Sequence, residues 1–175
     1  NHDYGDYLYG HGPSPEKRRN FQRLLDHQAH CGFDLLLNEH RLLTRQGEHI
    51  ALAGVENWGL PPFPQYGDLD AATNGLAPED FTILLSHDPT HWDAKVRAHA
   101  QQPELTLSGH THGFQFGLEM GDWRWSPVEL KYPRWADLYW EGPQALYVNR
   151  GYGYLAFPGR VGILPEITIL ELRRA

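Results

Sequence analysis

The 175-residue chain has 41% apolar and 21% charged residues, 18 glycines and 13 prolines, and a formal charge of -7. This composition is globular and rich in turns, which excludes a disordered or collagen-like chain. No basic footprint is present, so a specific nucleic-acid role is not expected. The single cysteine, Cys31, excludes an intrachain disulfide and a cysteine-based metal cluster, and its place beside Gly32 reads as a packing position. No apolar run approaches the roughly 18 residues that span a bilayer.

In chain order, an opening loop (residues 4–13) leads to a helix that Ser14 caps and Pro15 and Glu16 begin. Phe21, Leu24, Leu25 and Gln28 fall at helical spacing along one stripe, and Gly32 ends the helix. Residues 33–37 form a short apolar run, expected as a buried strand. Residues 42–45 and 49–55 flank Gln46-Gly47-Glu48 and predict a hairpin. A loop over 56–67 and a short helix over 68–74 follow, then an apolar strand over 81–86 that runs into His87-Asp88-Pro89. A helix is expected over 92–100, and Pro103 stops it. A strand over 105–108 runs into Gly109-His110-Thr111-His112. Residues 113–142 read as one long loop rich in tryptophan and glycine, and strands are expected over 145–149 and 166–172. Helices alternating with strands early, and strands dominating late, predict an α/β fold with a mixed sheet, helices on one face and a second sheet behind.

The chain has 11 histidines, and three of them occupy informative positions. His87, His110 and His112 each follow an apolar run directly, where ligands gather in open α/β folds. If residues 110–112 stayed extended, His110 and His112 would face opposite ways. Using both then requires a turn, or two metals about 3.5–4 Å apart that each take one imidazole. His11, His27, His30, His40, His49 and His99 lack that placement and read as surface or hydrogen-bonded residues. His91 has no assigned role.

Three segments resemble the calcineurin-like metallophosphoesterase superfamily. Asn1-His2-Asp3 resembles the end of its glycine-asparagine-histidine-acid motif, Ser86-His87 its isolated histidine after a strand, and Gly109-His110-Thr111-His112 its glycine-histidine-x-histidine motif. Residues 147–151 and 165–168 resemble the bacterial, often membrane-attached branch, which includes enzymes that cleave lipid-linked nucleotide pyrophosphates. The resemblance implies a β-sandwich of two packed mixed sheets flanked by helices. It also implies two divalent or trivalent ions (Mn, Fe or Zn). Asn1, His87 and His110 would bind one ion and His112 the other. His2 would face the scissile phosphate and protonate the leaving oxygen, with Asp3 orienting or charging it. A hydroxide bridging the ions would be the nucleophile.

The implied activity is hydrolysis of a phosphate monoester, diester or pyrophosphate, carried by a small molecule or a lipid. The alternative is a metal-binding or interaction domain with the same fold and no turnover. An acidic chain would repel such an anion unless positive charge is supplied locally, which bound metal does. The family's aspartate-x-histidine and glycine-aspartate motifs precede the asparagine, and no counterpart lies in this sequence. Residues 1–175 are therefore expected to be the C-terminal part of one domain whose N-terminal half supplies the remaining ligands and the first strands. The expected compartment is the cytoplasm or the face of the cytoplasmic membrane, and a membrane surface is an admissible partner.

Asn57 follows the strand ending at Val55 and is a candidate substrate contact, or a loop-capping amide. Arg150 follows another strand and is a candidate phosphate ligand, or half of a structural ion pair. Asp88 and Pro89 are candidates for fixing the His87 loop. Trp123, Trp125, Trp135 and Trp140, with Tyr132, Leu138 and Tyr139, would line an apolar channel, enter a membrane interface, or form a small core within the loop.

Overall fold

A computed structural model describes residues 1–173. The first helices are α1 (Asp6–Tyr9) and α2 (Pro15–His30), and the hairpin strands are β1 (Glu39–Arg45) and β2 (Glu48–Gly54). Then come α3 (Leu69–Thr73), β3 (Thr82–Leu85), α4 (Thr90–Ala94) and β4 (Leu105–Ser108). The chain continues with β5 (Leu118–Met120), β6 (Trp123–Trp125), β7 (Asp137–Glu141) and β8 (Gln144–Val148). A six-stranded sheet has the order β1-β2-β3-β4-β8-β7, and β5 pairs with β6 in a separate two-stranded sheet. The larger sheet is mixed, because β2, β3, β4 and β8 run parallel while β1 and β7 are antiparallel edges. This is the expected α/β arrangement of two sheets flanked by helices, although the second sheet is only a hairpin.

Local sequence explains the elements. Ser14 accepts a hydrogen bond from Lys17 N (3.1 Å) and starts α2, with Pro15 behind it. Gln46 and Gly47 both have positive φ (55° and 83°), the backbone that a tight hairpin turn requires. Asp68 caps α3 through Ala71 N (2.9 Å). The parallel strands bury Ala53, Leu84, Leu146 and Val148 against Leu69 of α3, Trp92 of α4 and Val96, so these helices cover one face. On the other face Ile83 and Leu107 are only half-buried and Leu85 is 37% exposed.

Several expectations need correction. Residues 33–37 form no strand; the segment crosses over β2, where a Cβ added to Gly54 would lie 2.5 Å from Leu36 Cβ. Cys31 is exposed, so its packing assignment fails. A 3-10 turn (His2–Tyr4) leads into the opening loop, which itself contains α1. The helix expected over 92–100 starts earlier, at Thr90, and breaks after Ala94 into a 3-10 turn (Val96–Ala98). The long loop conceals β5, β6, β7 and a 3-10 turn (Pro127–Leu130).

Residues 166–172 are not a strand either. Thr168 bonds to Asn149 Nδ2 (2.9 Å), but Ile167 and Ile169 are 83% and 93% exposed. Among the described residues no strand forms a ladder with the segment, and alternation without a ladder partner makes no sheet. Tyr132 and Trp135 are buried with Val128, Ala136 and Ile163, forming the small loop core, whereas Trp123, Trp125 and Trp140 are exposed. Among the described residues no helix is long and apolar enough to cross a membrane.

His91 is a core residue. Its Nδ1 pairs with Ser86 Oγ (2.8 Å) and its ring stacks on Trp58 at 5.0 Å. Burial lowers its pKa to about 4, against an unfolded value near 6.5. The unfolded chain therefore binds the extra proton first, so stability is intact above pH ~6.5 and falls as pH drops toward 4. Denaturant midpoints measured from pH 7 to 4 should decline, and His91→Gln should flatten that decline by about one proton's worth of slope. An unchanged slope in the variant would remove His91 as its source.

Candidate metal centre

The parallel strands bring their C-terminal exits to one edge. Beyond β3 and β4 the backbone pairing continues, from Ser86 N to Leu107 O (3.0 Å) and from Gly109 N to His87 O (2.9 Å). Ser108 Oγ also donates to Ser86 O (2.6 Å). His87 and His110 are thereby neighbours across adjacent strand exits, with ring centroids 5.1 Å apart.

Asn1 completes a triangle with them. Asn1 Oδ1 lies 3.1 Å from His87 Nε2 and 3.2 Å from His110 Nδ1, and the two nitrogens are 3.4 Å apart. Donors at ~2.0–2.2 Å from a first-row metal ion stand roughly 3–3.5 Å from one another, so these three atoms fit one ion's donor set. Among the described residues no group of three or more His, Cys, Asp or Glu side chains converges, and here the third donor is an amide.

The neutral form of imidazole is the metal-binding form. Desolvation lowers the pKa of His87, although the residue keeps an exposed side, and the nearby His110 and His112 add to the effect. Burial also lowers His110, against the opposing pull of Asp88, and it lowers His112. His112 Nδ1 is buried with no hydrogen-bond partner among the described residues.

The segment that holds these rings is not extended. His110 and His112 have φ of 68° and 51°, and the left-handed run continues through Gly113, Phe114 and Gln115. Non-glycine residues hold this conformation only where surrounding bonds impose it. Thr111 Oγ1 donating to Trp135 O (2.7 Å) is one such bond, and Arg160 Nη1 to His112 O (3.3 Å) is another.

Asn1 is brought in by Tyr4. That hydroxyl accepts from Asn57 N (3.0 Å) and donates to Glu56 Oε1 (3.3 Å), and the ring stacks on Phe21. A cavity of about 480 Å³ opens beside the triangle, lined by the polar Asn1, His2, Asp3, Asn57 and His87 and by the apolar Leu24, Leu25, Leu35 and Leu37. His2 is exposed at this rim and stacks on Tyr7 at 4.6 Å. Among the described residues Asp3 makes no hydrogen bond or ion pair with His2.

Asn57 is buried, donates to Pro64 O (2.8 Å) and leaves Oδ1 without a hydrogen-bond partner, so it braces its loop while also lining the cavity. Arg150 is engaged by Glu166 (2.8 Å) and by Glu119, which is the structural ion pair.

Sequence reasoning missed Tyr4 and the partner role of Tyr132, whose hydroxyl lies 2.9 Å from His110 Nε2. Neither residue carried a signal beyond its aromatic type. Asp88 was singled out for its loop, and it does accept from Thr90 N (2.9 Å); it also lies 3.4 Å from His110 Nε2. Histidines 40, 49 and 99 pair with Ala72 O, Asp80 and Asp70, away from this cluster.

Comparison with known proteins finds relatives over most of this chain. It is 32% identical over 148 residues to the uncharacterized metallophosphoesterase YkuE of Bacillus subtilis, covering 81% of this chain and 47% of that protein. It is 36% identical to the phosphodiesterase YaeI of Escherichia coli, covering 81% of this chain and 48% of that protein. A transmembrane protein with metallophosphoesterase domain from Bos taurus is 35% identical, with 80% and 32% covered. The chain thus spans half or less of these relatives' own lengths. No family model matches, and no solved structure matches. The homology supports the metallophosphoesterase superfamily.

Gly59 tests how tightly the centre is packed. A Cβ there would lie 2.4 Å from Asp88 Oδ2 and 3.1 Å from Phe63 Cβ. Gly59→Ala should lower stability by about 1–3 kcal/mol in urea denaturation. Gly153→Ala, which meets nothing within 4 Å, should change it by less than about 0.5 kcal/mol. Equal effects of the two would show that the packing around Asp88 is loose.

Proposed function

We propose that this chain forms part of a metal-dependent phosphohydrolase with a dinuclear centre, acting on a phosphate monoester, diester or pyrophosphate. The observation that carries the reading is the triangle of Asn1 Oδ1, His87 Nε2 and His110 Nδ1, with edges of 3.1, 3.2 and 3.4 Å. Homology to proteins named metallophosphoesterases supports it, and one relative named a phosphodiesterase keeps diesters in the substrate class.

Asn1, His87 and His110 would hold one ion, and His112 would serve the second. Manganese, iron or zinc suits these oxygen and nitrogen donors. A bound ion of this kind polarises a phosphoryl oxygen and lowers the pKa of water from ~15.7 to roughly 7.

The chain's own residues do the rest. His2, exposed on the cavity rim, donates a proton to the leaving oxygen, and Asp3 in the same 3-10 turn contributes negative charge nearby. Asn57 lines the same cavity and is the candidate substrate contact of its loop, with its amide nitrogen already given to Pro64 O. Arg150 reaches substrate only by leaving Glu119, so its main contribution is structural.

Four ligands are fewer than two ions need, and the remaining ones, with a carboxylate among them, come from residues outside this chain. The relatives' greater length and the half-covered sheet face around Leu85 support that view. Apolar lining residues in the cavity and exposed Trp123, Trp125 and Trp140 make a lipid-linked substrate at a membrane surface an admissible case.

Two measurements test the reading. Elemental analysis after manganese loading should find fewer than two ions per 175-residue chain, rising to two in the longer polypeptide. Two ions on this chain alone would remove the need for outside ligands, and none in either protein would end the metal assignment. In the longer polypeptide, His2→Ala should keep both ions and lose about 10²–10⁴-fold in turnover of a phosphodiester. Surviving turnover would eliminate His2 as the acid, and metal binding with no turnover in the parent protein would favour the non-catalytic alternative.

A further inference from the structure

We infer that Asp88 is a positioning residue that holds His110 in the tautomer protonated at Nε2, leaving the Nδ1 lone pair facing Asn1 and His87. The purpose of that arrangement rests on the metal-site reading above; its geometry does not.

Asp88 is fully buried. Its Oδ1 is occupied by Thr90 N (2.9 Å) and Thr90 Oγ1 (2.7 Å). Its Oδ2 has no hydrogen-bond partner and lies 3.4 Å from His110 Nε2. An ionised carboxylate only accepts, so a bare lone pair on Nε2 would oppose another acceptor in a buried place. An N–H on Nε2 removes that conflict.

Tyr132 lies 2.9 Å from the same nitrogen, but a hydroxyl accepts or donates as required and does not select a tautomer. Asp88 does select one. The neutral ring then carries no proton on Nδ1, which lies 3.2 Å from Asn1 Oδ1 and 3.4 Å from His87 Nε2. Lone pairs converging at these distances are favourable around a cation. Gly59 admits the carboxylate, since a Cβ there would lie 2.4 Å from Oδ2. Carboxylates that orient a ligating histidine in this way typically contribute ~10–100-fold to metal affinity.

The test replaces the carboxylate with its isosteric amide. In Asp88→Asn, Oδ1 still accepts from Thr90, and the amide nitrogen is turned toward His110 as a donor, which favours the opposite tautomer. The readouts are ¹⁵N histidine NMR of the metal-free protein at pH 8 and a Mn²⁺ titration by calorimetry, with thermal midpoints to monitor folding. The parent protein should have His110 protonated at Nε2. Asp88→Asn should move the proton to Nδ1 and weaken Mn²⁺ binding by ~10–100-fold. Tyr132→Phe should keep the Nε2 proton and lose less than about tenfold.

An unchanged tautomer and affinity in Asp88→Asn would overturn the inference. If that variant does not fold, the parent and Tyr132→Phe spectra decide, and a ring protonated at Nδ1 or at both nitrogens would overturn it. If the parent binds no Mn²⁺ but Asp88→Asn still moves the proton, the metal reading fails and the positioning role stands.

Discussion

The site depends on the backbone pairing that outlasts β3 and β4. The bond from Gly109 N to His87 O, at 2.9 Å, joins the two loops that carry the imidazoles just where the strands themselves have ended. A parallel pair sends both chains out of the sheet in the same direction, so His87 and His110 emerge side by side. Buried Ser108 adds a second tie between the same segments. With the exits fixed, His110 is closed in by Phe63 and Tyr132, whose rings lie 4.8 and 5.4 Å from its own, and its orientation is set by what touches each nitrogen. Asn1 is the least tied of the three donors, and Tyr4 is its anchor. The aromatic contacts of Tyr4 with Phe21 and Tyr66 connect the first residues to both α2 and the loop after β2.

What was legible in the sequence follows from the range of the interactions involved. His87 and His110 follow apolar runs of strand length, so local pattern places them at sheet exits before any contact is known. Ser14, Asp68 and the Gln46-Gly47 turn act on backbone groups within three residues, and they too are local. Tyr132 and Tyr4 act on partners 22 and 53 residues away in sequence, and no periodicity records such a pairing. Asp88 sits between the two cases: its part in fixing the loop after His87 was readable from residue type, its approach to His110 was not. The strand β7 was hidden because its alternating burial is only partial and its neighbours are as aromatic as the loops around it.

Residues 166–172 teach the opposite lesson. Their alternation is a good strand pattern, with Glu166 and Thr168 on one side bonded to Tyr147, Asn149 and Arg150. Alternation states which face a residue would take in a sheet; it does not supply the neighbouring ladder. The polar side found partners in this chain and the apolar side did not. Cys31 is a related case, where position beside a helix-ending glycine gave no information on which side of α2 the thiol would face.

Electrostatics and backbone strain bear on the centre from different directions. Arg150, the cation closest in sequence logic to a phosphate role, is taken up by Glu119 and Glu166, and Arg160 is directed at the carbonyl oxygens of His112, Arg150 and Gly153. Burial favours the uncharged forms of His110 and His112. In a chain of net charge -7, these residues therefore supply lone pairs to the site rather than fixed positive charge. Positive φ at His110 and His112 costs on the order of 1–3 kcal/mol per residue, and it persists because Thr111, between them, is bonded to Trp135 O. That strain takes residues 110–112 out of the extended backbone, in which two histidines separated by one residue would face opposite ways. The buried core of Tyr132, Trp135 and Ile163 is what holds the strained turn in place, so the aromatic loop contributes to the site through packing as well as through the hydroxyl of Tyr132.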